Sequence, residues 1–103
     1  MDNRVARCHL LCEVLWADGI LTDEERDLLE QHMSNHELSD EEKQQVRNKT
    51  GREDAIALLR ERPSVERQEI VDQLVEAALA DGKLTANETA TVKKIAQALG
   101  LYE

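Results

Sequence analysis

A string of nine residues occurs twice in this sequence, and it constrains the fold more than any other feature. The string reads Ala-Asp-Gly-x-Leu-Thr-x-x-Glu, and it spans residues 17–25 and again residues 80–88. Six positions are identical at the same spacing, and an apolar segment precedes each copy. Agreement of this kind at a fixed offset indicates an internal duplication, so we expect two related structural units.

The chemistry of the repeated string predicts a tight turn between two helices. Glycine tolerates the left-handed backbone conformation at which helices commonly end, and the leucine after it can anchor the loop in the core. Thr22 and Thr85 stand where the next helix needs an N-cap. Glu25 and Glu88, three positions later, would complete a capping box. Each copy therefore predicts a helix–turn–helix hairpin.

The segments around the two strings carry the pattern of helices. Apolar residues recur there at intervals of three and four positions, which places them on one helical face. The chain has no Phe, one Trp, one Tyr and one Pro, and no segment alternates apolar and polar residues as a half-exposed strand would. We therefore predict an all-α fold, a compact bundle of about six helices in which two pseudo-symmetric αα-hairpins are joined by two shorter helices.

The length of the chain suits one domain. We predict a single domain over residues 1–103, with repeat units over about 3–37 and 64–101 and a connector over 38–63. Two further capping boxes are predicted in the connector, where they would start helices over about 40–48 and 52–61: Ser39 with Glu42, and Thr50 with Glu53. Ser64 is the predicted cap of the following helix, and Gly100 is predicted to end the last helix in a Schellman motif.

The acidic residues are concentrated in one part of the chain. The net charge is −9, and residues 18–42 contain ten acidic residues and one basic residue, Arg26. A nucleic acid would be repelled by such a lobe, so we expect no nucleic-acid partner. The lobe favours a cation or a protein partner with a basic surface. We predict that this partner binds at the acidic run of the second helix: Asp23, Glu24, Asp27 and Glu30. The simpler interpretation is that the run is a solvated helix start, where the dipole favours negative charge.

The cysteines and the hydropathy pattern favour a cytoplasmic location. Cys8 and Cys12 are the only cysteines, and their four-residue spacing is typical of reduced core thiols on one helical face. The apolar run Leu10–Trp16 is short and is interrupted by Glu13, so we expect neither a signal peptide nor membrane insertion.

The repeated string also suggests a metal site, which we keep as an alternative. An EF-hand is excluded, because the first two ligand positions would fall on Val14 and Trp16 and, in the second copy, on Ala77 and Leu79. If the hairpins pack about a pseudo-twofold axis, four carboxylates would approach one another and could bind a divalent cation, Ca²⁺ or a similar ion: Asp18, Glu25, Asp81 and Glu88. The simpler interpretation is that the aspartates bind loop amides and the glutamates complete capping boxes.

Other potential ligands have simpler structural interpretations. Cys8, His9 and Cys12 lack a second ligand pair for zinc and are typical of a core helix. His32 and His36 could share a metal ion, but histidines near a helix C-terminus are also favoured by the helix dipole. The sequence has no nucleophile–base motif and no phosphate-binding loop, so we expect no enzymatic activity and no catalytic residues.

With both Ala-Asp-Gly-x-Leu-Thr-x-x-Glu strings and the closing Leu99-Gly100-Leu101, the sequence resembles the TerB-like domain family over roughly residues 5–101. The family takes its name from bacterial tellurite-resistance proteins, and its domain is also found in some DnaJ-type co-chaperones. The resemblance implies an all-helical fold and a non-catalytic role in stress response, phage inhibition or colicin tolerance. It also implies a suspected metal site, which would fall on Asp18, Glu25, Asp81 and Glu88. We therefore expect an intracellular protein-interaction module, with metal binding or sensing as the alternative.

Overall fold

The computed structural model describes residues 1–17, 19, 21–48, 51–79 and 85–101, and within these ranges all regular structure is helical. Six α-helices follow one another along the chain: α1 (Asn3–Leu15), α2 (Asp23–Asn35), α3 (Asp40–Arg47), α4 (Arg52–Arg60), α5 (Ser64–Ala78) and α6 (Ala86–Ala98). The predicted all-α fold of six helices is therefore confirmed, including the two shorter helices between the hairpins.

Helix α1 is the centre of the bundle. It packs against each of the other five helices, and nine of its thirteen residues are buried. A helix surrounded in this way must be apolar on nearly every face, which explains why polar residues are scarce between Val5 and Leu15.

The core is built from aliphatic side chains of all six helices. In α1 it includes Leu10, Val14 and Leu15, which are at most 1% exposed. The other helices each add fully buried aliphatic side chains to the same cluster: Leu29 and Met33, Val46, Leu59, Ile70, and Ile95. Trp16 is only partly buried and packs against this cluster.

Three capping boxes begin helices where the sequence predicts them. Thr22 with Glu25 begins α2, Ser39 with Glu42 begins α3, and Thr85 with Glu88 begins α6, each with both reciprocal hydrogen bonds. Satisfying two otherwise unpaired N–H groups at a helix start stabilises it by about 1 kcal/mol.

Two predicted caps are wrong. Helix α4 has Gly51 as its N-cap and no side-chain cap, and Thr50 lies outside the described residues. Gly51 is required there because a Cβ at this position would lie 2.6 Å from Cε1 of the His9 ring. Helix α5 has Pro63 at its N-cap rather than Ser64, because the carbonyl of Pro63 already accepts the first helical hydrogen bond, from the N–H of Arg67 at 3.0 Å.

The ends of α2 and α6 are equivalent. At the end of α6, Gly100 has a φ of 79°, and the N–H of Leu101 donates to the carbonyl of Ala96 at 3.0 Å, as the predicted Schellman motif requires. The end of α2 has the same bonding, with the N–H of Leu38 donating to the carbonyl of Met33 at 3.1 Å. The duplication therefore includes the C-terminal end of the second helix in each hairpin, α2 and α6.

At the C-terminal end of both α2 and α6, an arginine from the preceding helix binds a backbone carbonyl. Arg4 of α1 donates through Nη1 to the carbonyl of His36 at 2.7 Å, and Arg67 of α5 donates through Nη1 to the carbonyl of Leu99 at 2.5 Å. A cation at a helix C-terminus satisfies a free carbonyl and interacts favourably with the helix dipole. The same arrangement therefore holds the two helices of each hairpin together.

Candidate functional site

The two glutamates of the metal hypothesis act as helix caps. Glu25 and Glu88 are buried, and Oε1 of each accepts a hydrogen bond from the backbone N–H of its threonine at 3.1 Å. Asp18 and Asp81, the other two residues of that hypothesis, lie outside the described residues. Among the residues that the structure describes, no group of three or more His, Cys, Asp or Glu side chains could hold a metal ion. Capping is thus confirmed for both glutamates, and cation binding stays a prediction.

The acidic run of α2 presents three carboxylates to solvent. Asp23, Glu24 and Asp27 are all exposed on its first two turns. The salt bridges found within the described residues involve none of these three. The positive end of the helix dipole interacts favourably with the negative charges of Asp23 and Glu24, which lie in the first turn. We call these three residues the α2 acidic face.

Glu30 is not part of the α2 acidic face, although the sequence analysis grouped it with these three residues as a partner-binding surface. Its carboxylate forms a bidentate ion pair with Arg47 of α3, with Nε donating to Oε1 at 2.7 Å and Nη2 donating to Oε2 at 2.8 Å. Both side chains are partly exposed, so the pair adds at most about 1 kcal/mol to stability. Its main consequence is that Glu30 joins α2 to α3 and already has a cationic partner.

The two cysteines belong to the core. Cys8 is 2% and Cys12 is 1% exposed, and neither forms a disulfide. Burial raises the pKa of the Cys8 thiol to about 12, so this thiol is protonated at neutral pH. A protonated, inaccessible thiol is neither a nucleophile nor a good metal ligand.

The three histidines lie in two different places. His32 and His36 are half-buried on α2, with ring centroids 6.4 Å apart, and burial together with the neighbouring His36 lowers the pKa of His32. They line a groove of about 460 Å³ between α1, α5 and the C-terminal end of α2, where His36 is the C-cap, and the floor of this groove includes Leu11 and Leu74. His9 is buried at 4% exposure beside α4, and burial lowers its pKa, partly opposed by the charge of Asp54.

A second cavity, of about 370 Å³, opens between α1, α4 and α6. Its lining is His9, Glu13, Trp16, Ala17, Arg52, Thr91 and Lys94. Sequence reasoning missed this site because its residues come from three separate segments of the chain. The available local signal was the four-residue spacing of His9 and Glu13, which places both on one face of α1.

None of the described helices is both long enough and apolar enough to cross a lipid bilayer.

Comparison with known proteins identifies a family for this chain. Residues 4–103 match the family model described as tellurite resistance protein TerB. No curated protein and no solved structure matches the chain. The match covers nearly the whole sequence, including both copies of the repeated string and the six helices around them. The chain therefore belongs to the TerB family, an all-α family whose members are generally non-catalytic.

Proposed function

We propose that this protein is a non-catalytic interaction module of a bacterial stress-response system of the tellurite-resistance type, and that its α2 acidic face binds a basic surface on a partner protein. The observation that carries the proposal is the exposure of Asp23, Glu24 and Asp27 together on two turns of one helix, outside the salt bridges of the described residues.

The electrostatics of the chain support this role. The net charge is −9, and residues 18–42 hold ten acidic residues against one basic residue. Charges arranged in this way accelerate the encounter with an oppositely charged partner and disfavour acidic ones. Since Asp23 and Asp27 are one helical turn apart, they can contact two basic side chains of one partner segment at once.

Two observations support a non-catalytic role. The chain belongs to a family whose members are generally non-catalytic. In addition, the thiol of Cys8 is buried with a pKa of about 12, so it is not available as a nucleophile at neutral pH. We also propose a cytoplasmic location, which Cys8 and Cys12 support because both lie buried in the core as thiols rather than in a disulfide.

The proposal is tested by reversing the charge of the α2 acidic face. The test variant carries Asp23→Lys, Glu24→Lys and Asp27→Lys, and the matched control carries Glu53→Lys, Glu61→Lys and Glu69→Lys. The control residues are also exposed, so both variants undergo the same change in net charge. Lysines at the start of α2 interact unfavourably with the helix dipole and will cost some stability. Circular dichroism and thermal melting therefore serve to establish that both variants remain folded.

The measurement is the set of proteins captured from lysate of the native host by each immobilised variant. We expect wild type and control to capture the same basic proteins, released by raising the salt concentration, and the α2 variant to lose them. An unchanged set on the folded α2 variant would show that this surface is not the docking site.

A further inference from the structure

The rings of His32 and His36 offer accessible nitrogen ligands that the protein itself does not use. Both rings are half-buried at the C-terminal end of α2. Neither ring has a hydrogen-bond partner among the described residues, and none of its nitrogens is among the buried unpaired polar atoms found there. A ring nitrogen that is neither bonded nor buried is open to a ligand from solvent.

The two rings stand close enough to share one metal ion. Residues four apart lie on one face of a helix, and the ring centroids of His32 and His36 are 6.4 Å apart. An ion about 2 Å from a nitrogen of each ring would hold the centroids roughly 5 Å apart, so the rings must approach by about 1 Å. Rotation about χ2, whose preferences are broad in histidine, supplies an adjustment of this size. The groove of about 460 Å³ that both rings line has room for the water ligands of the ion.

The ring of His32 is held in the form that binds metals. Burial and the neighbouring His36 lower the pKa of His32, so its ring is neutral at pH 7. A neutral imidazole has a lone pair for a metal ion, whereas a protonated ring has none. A metal ion therefore does not have to displace a proton from His32 at this pH.

The charges around the two rings do not exclude a cation. Two arginines lie nearby: Arg4 donates to the carbonyl of His36, and Arg7 lines the groove. Arg4 forms a salt bridge with Asp2 at 2.9 Å, and the exposed Glu76 lines the same groove as Arg7. Since a carboxylate offsets each arginine, a divalent ion at the rings meets no net positive charge from these four side chains.

The donor set selects the kind of ion. Imidazole nitrogens suit transition metals, whereas Ca²⁺ and Mg²⁺ take oxygen ligands. Among the described residues no group of three or more potential ligands could hold a metal, so the ion must accept two protein donors and complete its shell with water. Zn²⁺ usually takes at least three protein ligands in tetrahedral sites, whereas Cu²⁺ and Ni²⁺ adopt square-planar or tetragonal geometry and Cu²⁺ binds nitrogen donors most tightly of the divalent first-row ions.

We propose that His32 and His36 together bind one Cu²⁺ or Ni²⁺ ion, Cu²⁺ the more tightly, with water in the remaining coordination positions. The site lies at the C-terminal end of α2, whereas the α2 acidic face occupies the first two turns of the same helix. Its nitrogen donors also distinguish it from the carboxylate site considered above, which would take Ca²⁺ or a similar ion. Each of these functions can therefore be tested without the others.

The test combines amide NMR of the full chain with calorimetric titration of four ions: Cu²⁺, Ni²⁺, Zn²⁺ and Mg²⁺. Cu²⁺ is paramagnetic and broadens the signals of nearby nuclei, so the spectrum shows where the ion binds. We expect one equivalent of Cu²⁺ to broaden the signals at the end of α2 and in the facing part of the groove. We also expect Cu²⁺ to bind more tightly than Ni²⁺, Zn²⁺ to bind only weakly and Mg²⁺ not to bind.

Variants of α2 test whether the two histidines act as a pair. His32→Gln and His36→Gln should each weaken Cu²⁺ binding about 100-fold, because the second donor on the same helix raises the effective concentration of ligand at the ion. The matched control carries His36→Gln together with Ser34→His, which keeps two histidines on α2 but places them on different faces. Ser34 is exposed, so this variant should fold as His36→Gln does, and thermal melting checks that it does.

We expect the Ser34→His substitution not to restore the binding lost in His36→Gln. The proposal is overturned if Cu²⁺ broadens signals elsewhere and not at the end of α2, if either single variant binds Cu²⁺ as tightly as wild type, or if Ser34→His restores the binding.

Discussion

Glu37 and Gly100 occupy the same left-handed backbone position at the ends of two equivalent helices. Their φ angles are 58° and 79°, and in both cases the next residue, a leucine, donates its N–H to a carbonyl five residues earlier. The second unit uses the residue suited to this conformation, whereas the first unit holds a glutamate in it. The duplication has preserved the geometry of the turn without preserving its glycine.

Replacing Glu37 with glycine should therefore stabilise the protein. A left-handed conformation costs a residue with a Cβ about 1–2 kcal/mol, and Glu37→Gly should recover about 1 kcal/mol of this. Thermal or urea unfolding measures the change. The control is Glu69→Gly in the middle of α5, also exposed, which should lose about 1 kcal/mol because its backbone is helical. Destabilisation by both substitutions would mean that Glu37 is not strained.

The opposite substitution at the second helix end should destabilise. A Cβ at Gly100 would adopt the same strained conformation and would lie 3.0 Å from Nη1 of Arg67, which donates to the carbonyl of Leu99. Gly100→Ala should cost about 1–2 kcal/mol in urea unfolding. A neutral effect would contradict the role assigned to this turn.

The capping role of the two buried glutamates can be separated from cation binding. Glutamine can also accept the backbone hydrogen bond, so Glu25→Gln and Glu88→Gln should keep the melting temperature nearly unchanged, whereas alanine at either position should cost about 1 kcal/mol. If capping is their only role, Ca²⁺, Mg²⁺, Mn²⁺ and Zn²⁺ will not raise the wild-type melting temperature. A rise that the glutamine variants abolish would establish the alternative metal site.

Stability should fall in mildly acidic solution because of His9. Burial lowers the pKa of this histidine from its ordinary value of 6.5, so the unfolded chain binds more protons than the folded one below that pH. The contribution is complete above pH 6.5 and is lost as the pH falls below it, with a slope of at most about 1.4 kcal/mol per pH unit for each proton. His9→Gln should flatten this dependence, and His32, whose pKa is also lowered, should account for part of what remains. An unchanged slope in the variant would contradict the assignment.

Both thiols should be inert in the folded protein. At pH 8, a thiol reagent such as Ellman's should react with neither Cys8 nor Cys12, because both are buried and the pKa of Cys8 is about 12. In urea both should react at once. Rapid labelling of the native protein would argue against the core placement of α1.

Local features were predictable from the sequence, and features made by distant segments were not. The capping boxes of Thr22 and Thr85 need only three residues of context, so both could be predicted. The start of α4 was not predictable in this way, since its N-cap is Gly51, where a Cβ would lie 2.6 Å from the His9 ring of another helix. The left-handed conformation of Glu37 could not be predicted, because a glutamate stands where helix ends usually have a glycine. The cavity around Glu13 could not be predicted either, because it forms where three separate helices meet.

The most direct test of the proposed interaction is site-specific photocrosslinking in the native host. Gln31 lies one turn beyond Asp27 on the same side of α2 and is exposed, so a benzophenone side chain there samples the acidic face without removing a carboxylate. Gln97 on α6 is equally exposed and serves as the control position. We predict a discrete adduct with a basic protein from position 31 and not from position 97. Absence of an adduct at position 31, or the same adduct at both, would contradict a docking role for the α2 acidic face.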